Sequence, residues 1–211
     1  YKKDKVKEMD WVDKVEINDE ITVTMLPAQH WSKRWIWGDG NTNFKWNWKL
    51  YRKEKKKLKI DYPPEHVIDR QIVLKNLEKH KSDSYVMWLD HASFIIKLGN
   101  TTIITDPVFE KYYGYFGFGT KKYIKPPLEL KELPEINLFL LSHNHLDHMS
   151  QKTINNFPYK NTKVLVPLKL GKYFTRNGYK KDKVKEMDWF DKVKINDEIT
   201  ITMLPAQHWS K

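Results

Sequence analysis

Residues 1–33 recur as residues 179–211, and the copies differ only at Val12/Phe190, Glu16/Lys194 and Val23/Ile201. Two copies held apart by most of a chain do not make a solenoid, which needs several adjacent units of one supersecondary element. They are one duplicated segment. Within each copy, "DEITVTML" or "DEITITML" alternates polar and apolar residues with β-branched enrichment, the pattern of a half-buried strand, and "PAQHWS" follows as a loop. His30 and His208 therefore each sit just past a strand end. If the fold has one slot for this strand, the copies compete for it. The one left out must lie elsewhere or dock on another molecule, which is a route to an oligomer through a swapped strand.

Between the copies, strand-like runs fall at Tyr85–Leu89, Ser93–Leu98, Thr101–Thr105, Ile136–Leu141 and Lys163–Val166. Helical patterns fall at His66–Lys81, Gln151–Phe157 and Leu168–Arg176, the last closed by Asn177-Gly178. Gly99-Asn100 joins two of the strand runs as a hairpin turn pair in reversed order. This mixture predicts an α/β or α+β fold. The chain of 211 residues is long enough to bury a core, and 9 Trp among 14% aromatics argue for a folded protein despite 31% charged residues.

No stretch approaches the roughly 18 apolar residues that span a bilayer, and "YKKDKVKEMDW" lacks the apolar centre of a signal peptide. The expectation is a cytoplasmic protein. With no Cys in the chain, any metal must be held by His, Asp or Glu. A net charge of +11 favours anionic partners, including the surface of an anionic membrane, yet most lysines alternate with Asp or Glu as on a solvated face. The densest basic run, "YRKEKKKLK" at 51–59, reads as a linker or exposed helix that could touch phosphate. Trp and Tyr beside lysines in "FKWNWKLYRKEKKK" form no recognised nucleic-acid module, so specific nucleic-acid binding is not expected.

The chemistry concentrates in "LLSHNHLDHMS", residues 140–150, where an apolar strand leads directly into three histidines and an aspartate. Strand ends are where α/β proteins build sites. In an extended stretch His143 and His145 point to the same side and can grip one metal ion. Asp147 and His148 follow as the chain turns toward a helix near Ser150, and could grip a second. A polar surface loop is the bland alternative. With 8 His in the chain, a chance HxHxDH somewhere along it has a probability of roughly one in a thousand.

"SHNHLDH" resembles the HxHxDH motif of the metallo-β-lactamase superfamily. The stretches "MWLDHASFIIKLGNTTIITDPVF", "PPLELKELPEINLFLLSHNHLDHMS", "VLVPLKLGKYF" and "EMDWFDKVKINDEITITMLPAQHWSK" are together similar to the branch containing N-acyl-phosphatidylethanolamine-hydrolysing phospholipase D. The resemblance covers roughly residues 63–211. It implies a partial αββα sandwich, with residues 1–50 a duplicated strand-loop segment and its continuation, and 51–62 a basic linker.

The resemblance also assigns roles. His143, His145 and His208 match ligands of a first zinc, with His30 as the duplicate candidate, and Asp147 and His148 match ligands of a second. Asp147 is also a candidate for proton transfer. Asp106 and His91 match positions lining or supporting the site; for His91 a hydrogen-bonded core or surface histidine is an equal alternative. Asp90 departs from the family's usual glycine before that histidine. Neutral imidazoles and carboxylate suit one or two zinc ions, with iron and manganese left open.

The implied reaction is metal-assisted hydrolysis of a small-molecule or lipid-like phosphodiester, in which zinc lowers the pKa of bound water to about 7 and a pair of ions orients hydroxide and stabilises developing charge. In the family the pattern runs on past "PAQHWS" to a Gly-Asp-Thr-Gly segment and a last histidine, whereas this sequence stops at Lys211. An incomplete domain with an exposed apolar sheet face is therefore expected, and with it an alternative function: a remnant that binds metal without turnover. Gly38-Asp39-Gly40 lies too close to His30 to be the missing segment and reads as a turn. His66 and His80 fall in a charged helical stretch and read as surface residues.

Overall fold

The computed structural model describes residues 68–115, 118–122 and 125–206, and the backbone of 14–18 and 21–24. His30, His66 and His208 lie outside the described residues. The chain divides into two units, Tyr1–Asp61 and Tyr62–Lys211.

In the first unit β1 (Lys14–Asn18) and β2 (Ile21–Thr24) form an antiparallel hairpin with pairs Lys14↔Thr24, Val15↔Val23 and Glu16↔Thr22. In the second unit β11 (Lys192–Lys194) and β12 (Thr200–Thr202) pair Lys192↔Thr202, Val193↔Ile201 and Lys194↔Thr200. These are the corresponding residues of the repeat. Both copies thus adopt one register, and the repeated element is a hairpin rather than the single strand expected. Lys-Val-Glu/Lys-Ile already alternates, so the partner strand is encoded in the same segment.

The second unit is built on a six-stranded sheet. Its strands are β3 (Tyr85–Asp90), β4 (Ser93–Leu98), β5 (Thr101–Thr105), β8 (Leu138–Leu140), β9 (Lys163–Pro167) and β10 (Val184–Met187), in the order β10-β9-β8-β5-β4-β3. β3, β4 and β5 form an antiparallel meander, whereas β5, β8, β9 and β10 run parallel. Gly99, at φ 53, closes the two-residue turn between Leu98 and Thr101. A separate hairpin pairs β6 (Tyr112–Tyr115) with β7 (Phe118–Lys121).

Period-two alternation sorts the strands onto two faces. Ile95, Ile104, Phe139, Leu141, Val164 and Val166 join the core on one side. Their neighbours Ile103, Leu138 and Leu165 join Met187 and Val193 on the other. Burial on both faces explains the near-continuous apolar runs of the parallel strands.

The first face is covered by three helices. α1 (Arg70–Lys79) starts at Asp69, whose side chain accepts from Gln71 N at 2.8 Å, and it packs Val73, Leu74 and Leu77 inward. α2 (Gln151–Asn156) is capped by Ser150, which accepts from Thr153 N at 3.0 Å. α3 (Lys172–Thr175) is shorter than the expected Leu168–Arg176, because Lys169 at φ 69 takes a conformation no α-helix admits. Phe139 sits edge-on to Phe157 and Phe174, with ring centroids 5.3 and 5.0 Å away.

On the second face Val193, Ile195, Ile201 and Met203 of the β11–β12 region pack over Ile103, Leu138 and Leu165. Val86, Trp88 and Leu98, on the same side of the β3–β4 edge, remain exposed at 67%, 40% and 44%. Helices on one face and β-structure on part of the other make an α/β fold with the layering of a partial sandwich.

Candidate metal centre

The carboxyl ends of β3, β5 and β8 lie along one edge of the sheet, and each delivers a polar residue there. Asp90 ends β3 and His91 follows it, Asp106 follows β5, and Ser142 to His148 follow β8. His91 and Asp106 both have positive φ, 44 and 39 respectively. Asp and His tolerate that region better than β-branched residues do. The conformation turns each chain sharply at its strand end.

Asp106 is the hub. It is 5% exposed, and its carboxylate accepts from Ser142 N at 2.7 Å, Ser142 Oγ at 2.5 Å and His148 Nδ1 at 2.8 Å. A carboxylate acceptor requires the proton on His148 Nδ1, which puts the ring's lone pair on Nε2. Since the Ser142 hydroxyl is spent on Asp106, its oxygen accepts from His143 Nδ1 at 2.9 Å, and the same logic puts the His143 lone pair on Nε2. One buried carboxylate thereby orients two imidazoles, one directly and one through a hydroxyl. Such outer partners are what hold metal-ligating histidines in place.

His148 Nε2 lies 3.9 Å from Asp147 Oδ2, and His91 Nε2 lies 3.1 Å from that same oxygen. Burial works against ionisation of Asp147, but the hydrogen bond from His91 and the charge of His148 prevail and hold its carboxyl well below the usual carboxylate range. The His143 ring is 4.6 Å from His145 and 4.0 Å from His148, centroid to centroid. A local turn closes the motif, with His148 N and Met149 N both donating to His145 O.

Two sets of side chains each bring ligand atoms within 4.8 Å of one another: His91, Asp147 and His148, and Asp106, His143 and His148. The structure thus gathers six of the residues singled out in the sequence, with His145 beside His143 but in neither set. His30 and His208 fall outside the described residues, so the third histidine assigned to the first metal has no described position. His91, for which the sequence alone left two readings, is within hydrogen-bond reach of a candidate ligand.

Four other residues of this region escaped the sequence reading or were left without a role. Ser142 could have been flagged by its place directly before His143. Lys122, Tyr113 and Asp90 form a buried group behind His91, and nothing local in the sequence pairs them. Tyr113 OH donates to Asp90 Oδ1 and Oδ2 at 3.2 and 3.1 Å, and Lys122 Nζ contacts Asp90 Oδ2. Burial first, and then the Asp90 charge, push the Tyr113 hydroxyl far above its ordinary pKa.

Imidazoles and carboxylates converging at strand ends of an α/β sheet, with His143 and His148 steadied by outer hydrogen bonds, make a candidate metal-binding site. The chain belongs to the metallo-β-lactamase superfamily: the model of the beta-lactamase superfamily domain matches residues 101–211. It is similar to N-acyl-phosphatidylethanolamine-hydrolyzing phospholipase D 1 of Caenorhabditis elegans, with 33% identity over 61% of this chain and 38% of that protein. The mitochondrial N-acyl-phosphatidylethanolamine-hydrolyzing phospholipase D of Saccharomyces cerevisiae is 32% identical over 63% of this chain and 29% of its own length. The chain spans about a third of the length of these relatives. Among solved structures, a possible metal-dependent hydrolase from Veillonella parvula aligns at 24% identity and a TM-score of 0.43, over 55% of this chain and 45% of the other. Among the described residues no helix is long and apolar enough to cross a membrane.

Proposed function

We propose that this chain carries the metal-binding strand-end loops of a zinc-dependent phosphodiester hydrolase acting on lipid-like substrates. The observation that supports this most directly is the Asp106 hub, which engages Nδ1 of His148 directly and of His143 through Ser142 Oγ, and so leaves Nε2 of each turned to a metal. The donor chemistry fits a borderline divalent ion, with His143, His145 and His208 for one zinc and Asp147 and His148 for a second. Iron and manganese accept similar ligands. The names of the relatives support the phosphodiester and the lipid, and the net charge of +11 suits an anionic substrate or membrane surface.

A divalent metal bound there supplies Lewis acidity and lowers the pKa of a water toward about 7. The chain's own residues do the rest. Asp106 and Ser142 hold two imidazoles with Nδ1 turned toward them, which leaves Nε2 of each as the atom for the metal. Asp147, ionised at neutral pH, offers a ligand oxygen, and His91 fixes that oxygen by its contact at 3.1 Å. No Ser or Cys nucleophile is required.

The test is elemental mass spectrometry on the purified chain beside a His143→Ala/His145→Ala variant, followed by hydrolysis of bis(p-nitrophenyl) phosphate. Near-stoichiometric zinc that the variant loses, with turnover, is expected. Zinc without turnover would favour a metal-binding remnant. No zinc in either protein would remove the proposal.

A further inference from the structure

Lys122 is the one buried cation among the described residues, with its side chain 2% exposed. Its ammonium contacts Asp90 Oδ2 and donates to Val108 O, and it lies 4.7 Å from the centre of the Tyr113 ring. Each of these partners belongs to a different piece of the wall around the metal centre. Asp90 ends β3 and directly precedes His91. Val108 lies two residues beyond Asp106, in the loop that leaves β5. Tyr113 and Lys122 belong to the β6–β7 hairpin and the residue that follows it, joined there by Lys122 N donating to Lys111 O at 3.0 Å. The Tyr113 ring in turn packs 5.6 Å from that of His91.

Buried ion pairs contribute little net stability, because desolvation of both charges offsets their attraction. What this pair can supply is geometry. His91 and Asp106 are the two residues of the centre with strained, positive φ, and Lys122 ties together the loops that carry both.

We infer that Lys122 is a positioning residue for the metal centre, with Asp90 as its counter-ion: it rivets the loops after β3 and β5 to the β6–β7 hairpin and thereby sets His91 against Asp147 and Asp106 against His148. The inference rests on reading residues 143–148 as a metal site. Its signature is a change at the histidines without a change in fold.

The experiment uses the full 211-residue chain and two variants. Asp90→Asn/Lys122→Met removes both charges, so neither is left buried alone. Asp90→Asn keeps the ammonium and the shape of its partner. Melting temperature by circular dichroism reports the fold. Long-range 1H–15N spectra in chelator report the imidazole rings without metal, and competition with a chromophoric chelator reports zinc affinity. The double variant is expected to melt within a few degrees of the wild type, to shift the ring resonances of His91 and His148, and to bind zinc at least about 10-fold more weakly, the usual scale for losing an outer partner. Asp90→Asn is expected to give a smaller change in the same direction. A folded double variant with wild-type ring resonances would overturn the inference. If the wild type binds no zinc, the metal reading fails separately, and the ring resonances still decide the role of Lys122.

Discussion

Replacing Asp106 tests the architecture of the centre at its most connected atom pair. Asp106→Ala removes an acceptor that serves three donors, and bonds to a charged group contribute about 1.5–3 kcal/mol each when buried. Adding them would overstate the loss. Only the Asp106 end is buried; Ser142 is exposed and the His148 side chain is 17% exposed, so their donors regain water when the carboxylate goes. A net loss near that of one strong bond, about 1.5–2 kcal/mol, remains on that reasoning. Alanine at φ 39 adds about 1 kcal/mol more, since it lacks the local hydrogen bonding that lets Asp and Asn visit the left-handed region. The sum, about 3 kcal/mol, corresponds to a fall in melting temperature of roughly 6–12 °C for a chain of this size.

Asp106→Asn separates the two effects. It keeps the backbone preference and the shape, so the melting temperature should fall by less than half as much. Its amide cannot accept from Ser142 N, Ser142 Oγ and His148 Nδ1 together, so zinc affinity should still fall about 10- to 100-fold. Thermal melts followed at 222 nm and zinc competition with a chromophoric chelator read the two quantities independently. Wild-type melting and wild-type affinity in Asp106→Ala would refute the hub. Equal melting losses in both variants would refute the assignment of part of the cost to the strained backbone.

Phe139→Ala, at the crossing of two edge-on aromatic contacts, should cost about 3–5 kcal/mol, measurable as a lower urea midpoint, while leaving the ligand loop in place. Burial also pushes the Tyr179 hydroxyl upward, as burial and Asp90 do that of Tyr113. A tyrosine whose folded pKa exceeds its unfolded value of about 10 contributes stability that is complete below pH 10 and is lost as pH rises beyond it. Stability should therefore fall above pH 10. In an absorbance titration at 295 nm Tyr113→Phe and Tyr179→Phe should each delete a proton that leaves only with alkaline unfolding; a proton lost before unfolding would contradict the burial.

Much of the fold and part of the centre were legible in the sequence because their signals are local. Runs of apolar and β-branched residues marked β4 and β5 to the residue, and Ser150 and the turn at Gly99-Asn100 follow from capping and turn preferences. The crowding of His143, His145, Asp147 and His148 after an apolar strand needed no tertiary contact to be noticed. Less was visible where the local signal is weak. β6 and β7, rich in Gly and Tyr, went unmarked, and the Leu168–Arg176 pattern suggested a helix whose first half the left-handed Lys169 excludes.

What the tertiary structure decided was which distant residues meet the motif. Asp106 reaches Ser142 and His148 across 36 and 42 residues because β5 and β8 are parallel neighbours that end on the same edge of the sheet. Lys122 meets Asp90 only because a hairpin folds back behind the turn that carries His91. The sequence alone determined the repeat, the alternation and the cluster of ligand types, since each is a property of neighbours along the chain. The tautomers of the histidines and the counter-ion of the buried lysine depend on strand order, which no local pattern encodes.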